Sequence, residues 1–156
     1  MTISDYAIRR ATCEEAPIIR EHRRAMFSDM GSGDQQTLDT MGAQFLLWVM
    51  PKLASGEYLG WFAIAPDRSI AAGLGLWRMD WPPHIFGGAA GRANIVNVYT
   101  QPLHRRRGLA RSLMHTALEW CRENGIRAVI LHASRDGRAL YESLGFQRSN
   151  EMRLML

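Results

Sequence analysis

Residues 94–132 read as strand, helix, strand, and that order limits the fold more than any other feature of the chain. Residues 94–100 carry Ile95, Val96, Val98 and Tyr99, all good strand formers. In residues 109–124, Leu109, Leu113, Ala117, Trp120 and Cys121 recur at helical spacing, while Arg111, His115, Glu119 and Arg122 turn the other way. Gly125 ends this helix. Residues 128–132 follow as a short, almost wholly apolar strand, as expected for one buried on both faces. Strands linked through a helix in this way pair parallel within one sheet.

Hairpins and helices surround that unit. Residues 6–10 read as a first strand. Thr12 with Glu15 three positions on forms a capping box, opening a helix that runs to about Met30 and stops at Gly31. Asp34 caps a second helix, which sets Leu38, Met41, Phe45 and Trp48 on one face and is expected to end before Pro51. Residues 58–65 and 70–79 form an antiparallel pair, turning at Pro66, Asp67, Arg68 and Ser69. Residues 81–91, rich in proline, glycine and aromatics, are a loop. Residues 136–144 are a last helix stopped by Gly145, and 146–148 and 152–154 are expected to close the chain as strands. The expected class is α/β with a mixed sheet and helices on both faces. No repeat, linker or shift in composition divides the chain, so residues 1–156 are expected to form one domain.

A chain of 156 residues with 47% hydrophobic content can bury a core without disulfides or a structural metal. Cys13 and Cys121 are its only cysteines, too few for a disulfide framework or a four-ligand zinc site. The first ten residues lack a signal-like apolar core, and the longest apolar stretch, 45–50, is far short of a membrane span. A soluble, cytoplasmic protein with reduced thiols is therefore expected. The net charge of +4 is uneven, with His104, Arg105, Arg106, Arg107 and Arg111 inside eight positions. Such a run is often only a solvated helix start; its context decides here.

That context is residues 93–110, where a strand enters a proline turn and then a basic, glycine-bearing loop that opens the best helix in the chain. The combination suits a pyrophosphate. A helix N-terminus presents unpaired N–H groups and partial positive charge. Gly108 and Ala110 leave the backbone uncovered, and Arg105 and Arg107 supply charge-assisted hydrogen bonds.

Arg105, Arg106, Arg107, Gly108, Leu109 and Ala110 match the (Gln/Arg)-x-x-Gly-x-(Gly/Ala) signature, and here the chain resembles the GNAT acetyltransferases. Val98, Tyr99, Thr100, Gln101 and Pro102 resemble that family's fourth strand. About thirty residues downstream, the stretch from Ala139 through Tyr141 to Gly145 and Phe146 resembles its closing A-x-x-Y-x-x-x-G-F element. The resemblance is specific from about residue 93 to 148 and loose before that. It implies a GNAT-like fold of six to seven mostly antiparallel strands with a central parallel pair. It implies acetyl-CoA as co-substrate, with Val98, Tyr99 and Thr100 along the pantetheine arm. The amides from Arg105 to Ala110 would hold the pyrophosphate, with help from Ser112. Tyr141 would be the general acid. Ser134 departs from the pattern, since many relatives carry asparagine seven positions before the tyrosine. The resemblance is also compatible with a homodimer.

The chemistry explains these parts. An amine attacks the thioester, negative charge develops on the carbonyl oxygen, and a backbone N–H near Val98 is placed to stabilise it. The departing thiolate takes a proton from the tyrosine. Asp80, His84 and Glu21 are candidates for deprotonating the amine, with water as the alternative. Asp29, Asp34, Asp39 and Asp80 lie in the segments that shape the acceptor site in the resembled family, here 24–44 and 80–92. Asp80, His84 and Asp29 are the acceptor-side candidates, and Trp77, Trp81 and Phe86 are candidates for lining the pocket. The acceptor is a small-molecule or peptide amine of unidentified type. A nucleic-acid-binding role fits poorly, because the basic residues crowd one helix end instead of one face. A phosphate-loop nucleotide site lacks its G-x-x-x-x-G-K-[ST] run. A catalytically silent acyl-CoA sensor is disfavoured by Tyr141. Neither nucleic acid nor membrane is expected as a partner.

Overall fold

The computed structural model describes residues 2–85 and 91–156. Five strands form one sheet in chain order: β1 Ala7–Arg10, β2 Tyr58–Ile64, β3 Ile70–Met79, β4 Arg92–Thr100 and β5 Ala128–Leu131. Neighbours pair antiparallel from β1 to β4, while β4 and β5 are parallel. The crossover between that last pair is α3, Leu109–Glu123, as the strand-helix-strand reading requires.

Helices cover both faces. On one, α3 buries Leu109, Leu113, Met114, Ala117 and Cys121 against Leu59, Trp61, Leu74, Leu76 and Ile95. On the other lie α1, Ala16–Asp29, and α2, Gln35–Ser55, whose Ile19, Phe45 and Val49 pack on Tyr58 and Phe62. Thr12 and Glu15 form the capping box ahead of α1, and Asp34 accepts the Thr37 amide at the head of α2. No helix among the described residues is long and apolar enough to cross a membrane.

Several expectations are corrected. The second helix does not stop before Pro51 but continues to Ser55. Proline withdraws the bond to the Leu47 carbonyl, but Leu47, Met50 and Pro51 are all exposed, so this side of the helix faces solvent and the lost bond costs little. Among the described residues the parallel pair lies at the sheet edge, not its centre, and the sheet has five strands instead of six or seven. Residues 146–148 and 152–154 form no strand. Gln147, Arg148, Ser149, Asn150 and Glu151 offer no apolar face, and Met152 and Leu154 stay 95% and 80% exposed. With nothing beyond it, β5 is half-buried along its length and not enclosed on both faces. The last helix, α4, is the short Arg138–Ser143.

His22 points inward from α1, 3% exposed, with its ring against Phe62 and Tyr99. A Cβ on Gly73 would lie 2.6 Å from its Nδ1, so the glycine makes its space. Burial lowers the His22 pKa from 6.5 to about 4. The unfolded chain therefore binds this proton before the folded one does, and stability falls as pH drops from 6.5 to 4. The His22 contribution to that loss is about 3 kcal/mol. Urea unfolding at pH 7 and pH 4 should show His22→Met losing less stability than the wild type over this interval. Equal losses would mean that His22 takes its proton without leaving the core.

Candidate active site

Two irregularities in β4 shape the candidate site. Gly73 lies opposite Tyr99 but Gly75 opposite Val96, so β4 carries one residue more than β3 across this interval. The bulge falls at Asn97, whose φ of 55° is left-handed, a conformation asparagine tolerates better than most residues. The buried Asn97 side chain holds the bend. Its Nδ2 donates to the Tyr58 hydroxyl at 2.9 Å, and its Oδ1 accepts from Arg23 Nη1 at 2.9 Å. Burial raises the Tyr58 pKa far above its ordinary value, so the phenol stays neutral.

The second irregularity is a wedge. Pairing of β4 with β5 ends at Ile95 opposite Leu131, yet β4 continues to Thr100. The Gln101 amide donates to Ala71 of β3, while the Thr100 carbonyl accepts Arg105 Nε at 3.0 Å. Thr100 therefore turns its peptide groups away from β3. By strand alternation Val98 does the same, and both line the wedge left open by β5. Tyr99, between them, faces His22.

At the end of β4 the chain enters a short 3₁₀ turn, Pro102–His104, and then the basic loop. Arg106 and Gly108 both adopt positive φ, 63° and 81°, which turns successive amides outward. Among the described residues, no acceptor takes the amides of Arg106, Arg107, Gly108, Leu109, Ala110 or Arg111. Leu109 is buried and anchors this first turn, whereas the Ser112 amide already bonds Gly108 within the helix.

The arginine side chains of the loop differ in their commitments. Arg105 pairs with Asp29, the last residue of α1, and so ties the loop to that helix. Arg107 donates to the Tyr6 hydroxyl and the Leu103 carbonyl, both at 3.1 Å, and Tyr6 is bonded in turn to His104. Arg111 reaches Ser143 of α4 at 2.8 Å. Arg106 is exposed, with no hydrogen bond or ion pair among the described residues. It is the loop's uncommitted charge.

Tyr141 sits on α4, 9% exposed, in the cluster that also takes in Val98 and Leu131. Its ring meets Phe146 edge-on, and a Cβ on Gly137 would press on it at 2.7 Å. Its hydroxyl makes no hydrogen bond among the described residues, and burial raises its pKa. Ser134 accepts the Gly137 amide at 3.1 Å, shaping the turn that delivers α4.

The acceptor-side candidates are scattered. Asp29 is paired with Arg105. Asp80 and His84 are exposed, in the stretch following the Met79–Arg92 end of the β3–β4 pair. That end is ~20 Å along the strand from Val98. Glu21 is exposed and bound to Arg20. Trp77 donates to Glu57 at 3.0 Å and packs on Trp48, and Trp81 stacks on Arg92. Phe86 lies outside the described residues. What sequence reasoning missed is the Arg23–Asn97–Tyr58 chain. Asn97 was the available signal, a poor strand former among Ile95, Val96 and Val98. Arg23 gave none, because its partner lies 74 residues away.

The bulged strand and the loop of free amides both fall within a stretch that a family model matches. The model for the acetyltransferase (GNAT) family covers residues 18–146. The chain belongs to the GNAT acetyltransferase family. A GCN5-related N-acetyltransferase from Ralstonia eutropha JMP134 is 34% identical, covering 97% of this chain and 98% of that one, with a TM-score of 0.90. A predicted acetyltransferase from Clostridium acetobutylicum, crystallised with acetyl-CoA, shares the fold at 23% identity and TM-score 0.88, covering 97% of this chain and 96% of that one. Human N-acetyltransferase 8 is 32% identical over 63 residues, which is 38% of this chain but only 28% of the human protein. The GNAT family is one of acyltransferases, and the wedge and loop fall within the matched residues.

Proposed function

We propose that this protein transfers an acetyl group from acetyl-CoA to an amine by direct attack on the thioester. One observation carries the reading: beyond Ile95 β4 has no partner on its β5 side, and the strand leads into six free amides at the head of α3. A pantetheine arm is itself an amide chain and pairs with Val98 and Thr100 as an added strand would. The pyrophosphate then meets the amides from Arg106 to Arg111 and the helix dipole, with the uncommitted Arg106 guanidinium nearby. Acetyl-CoA in the Clostridium acetobutylicum neighbour supports this choice of donor.

In this reading the Val98 N–H stabilises the oxygen of the tetrahedral intermediate. It is fixed beforehand by the Asn97 bend, so it needs no rearrangement as charge develops. The attacking nitrogen gives up its proton to water, and as the C–S bond breaks Tyr141 protonates the thiolate and is reprotonated from solvent. Burial raises the Tyr141 pKa, so it holds its proton throughout the neutral range.

Gly108→Val tests the coenzyme site. A Cβ there meets nothing within 4 Å, so the substitution acts through the left-handed backbone and the covered amides instead of a clash. A strained β-branched residue costs roughly 1–2 kcal/mol, and calorimetry should show acetyl-CoA affinity falling by about tenfold or more. Unchanged affinity in a folded variant would move the coenzyme elsewhere. Consumption of acetyl-CoA against a panel of amines tests the transfer itself.

A further inference from the structure

Three arginines lie close together on α1, and their partners differ. Arg20 pairs with Glu21, and Arg24 pairs with Asp39 at 2.7 Å. Arg23, turned toward the sheet, pairs with no carboxylate among the described residues. Its single hydrogen bond is the one from Nη1 to Asn97 Oδ1. Its Nε is buried without a partner. The guanidinium lies 4.9 Å from the ring centroids of both Phe27 and Phe45. Burial lowers its pKa, opposed only by the smaller effect of the neighbouring Tyr58.

A half-buried guanidinium with unused donors is an unfavourable arrangement unless an anion completes it. Aromatic faces stabilise a cation but take none of its in-plane N–H bonds. The side chain that takes its hydrogen bond also shapes the candidate site, since Asn97 is the bulge residue and Val98 follows it in the chain. Consecutive Cα atoms are ~3.8 Å apart. An anion on Arg23 would thus lie close to where the thioester carbonyl is attacked.

We infer that the acceptor is a compact amine bearing a carboxylate, of the amino-acid type, and that Arg23 holds this carboxylate beside the reacting carbonyl. The inference rests on the acetyl-transfer reading and names its substrate class. Nε is sealed in the interior, so the carboxylate oxygens meet Nη2 and the second N–H of Nη1, whose first N–H keeps its bond to Asn97. The amine, a few bonds away, is then directed toward Val98. Arg23 is in this sense a specificity-determining residue, and it takes no part in proton transfer.

The test uses matched pairs of amines, each amino acid beside its decarboxylated counterpart and its carboxamide. Acetyl-CoA turnover is followed with wild type, Arg23→Gln and Arg23→Lys. In the wild type, kcat/KM for the carboxylate-bearing member should exceed that for its partners by about tenfold or more for at least one pair, mainly through KM. Arg23→Gln also loses the bond to Asn97, so it should slow transfer to every amine, but it should abolish the preference within each pair and leave acetyl-CoA binding intact. Arg23→Lys should keep part of the preference. Preference for the decarboxylated amines, or equal rates within every pair, would overturn the assignment while leaving acetyl transfer in place. Absence of transfer to any amine would remove the acetyl-transfer reading and the inference with it. The wild-type comparison is decisive even if Arg23→Gln fails to fold.

Discussion

Tyr141→Phe is expected to lower the single-turnover rate of acetyl transfer by about 10²–10⁴-fold, the usual effect of removing one well-placed proton donor. The ring remains, and with it the edge-on contact to Phe146 and the packing over Gly137. Removing a hydroxyl that bonds nothing among the described residues should leave stability almost unchanged. Acetyl-CoA binding should also persist, because the amides of the α3 turn are untouched. Single-turnover rates are the proper measure, since slow product release would hide part of a chemical defect. The pH profile adds a second check. Burial raises the Tyr141 pKa, so ionisation of the acid cannot reduce the wild-type rate below its ordinary value near 10. Wild-type single-turnover rates in Tyr141→Phe would take the tyrosine out of the mechanism and leave water as the proton source.

Gly75→Ala should be the most damaging single-methyl change to the fold. Tyr58 crosses Gly75 to reach Asn97, and a Cβ there would overlap its hydroxyl. Tyr58 is 1% exposed among Phe45, Trp48 and Phe62, so it has no free space to occupy. Overpacking of this kind costs about 1–3 kcal/mol. Losing the buried Asn97–Tyr58 bond adds about 1–3 kcal/mol. A total near 3 kcal/mol corresponds to a fall in Tm of roughly 6–12 °C for a chain of this size. Because the same bond supports the β4 bulge, any folded fraction should also transfer acetyl groups more slowly. A melting temperature within a degree or two of wild type would mean that the sheet yields easily here, and that Asn97 keeps its left-handed turn without Tyr58.

The parts of the site legible in the sequence are those made by consecutive residues. The turn from Pro102 to Leu109 could be read directly, because a glycine, a basic run and the start of an amphipathic helix are local features. The capping box at Thr12 and Glu15 was legible for the same reason, as was the Asp34 cap. The chain ends were misread for a matching reason. Residues 152–154 have strand character, but a strand exists only by pairing with a neighbour, and they pair with none among the described residues. Pro51 signals a helix end locally, yet the exposure of the Leu47 side lets α2 continue.

By itself, then, the sequence determined most of the segments that become helix or strand, that β4 and β5 run parallel, and that a basic, glycine-bearing turn leads from β4 into α3. Each depends on periodicity or backbone preference within a few residues. Only the tertiary structure decided where β4 separates from β5, which arginines of α1 and the basic loop are already paired, and that Arg23 meets Asn97 without an anion. Those outcomes depend on burial and on contacts between residues far apart in the chain, 74 positions for Arg23 and Asn97 and 76 for Arg105 and Asp29. No local pattern encodes such a distance, because the charge balance of a buried side chain is set by whatever the fold packs against it.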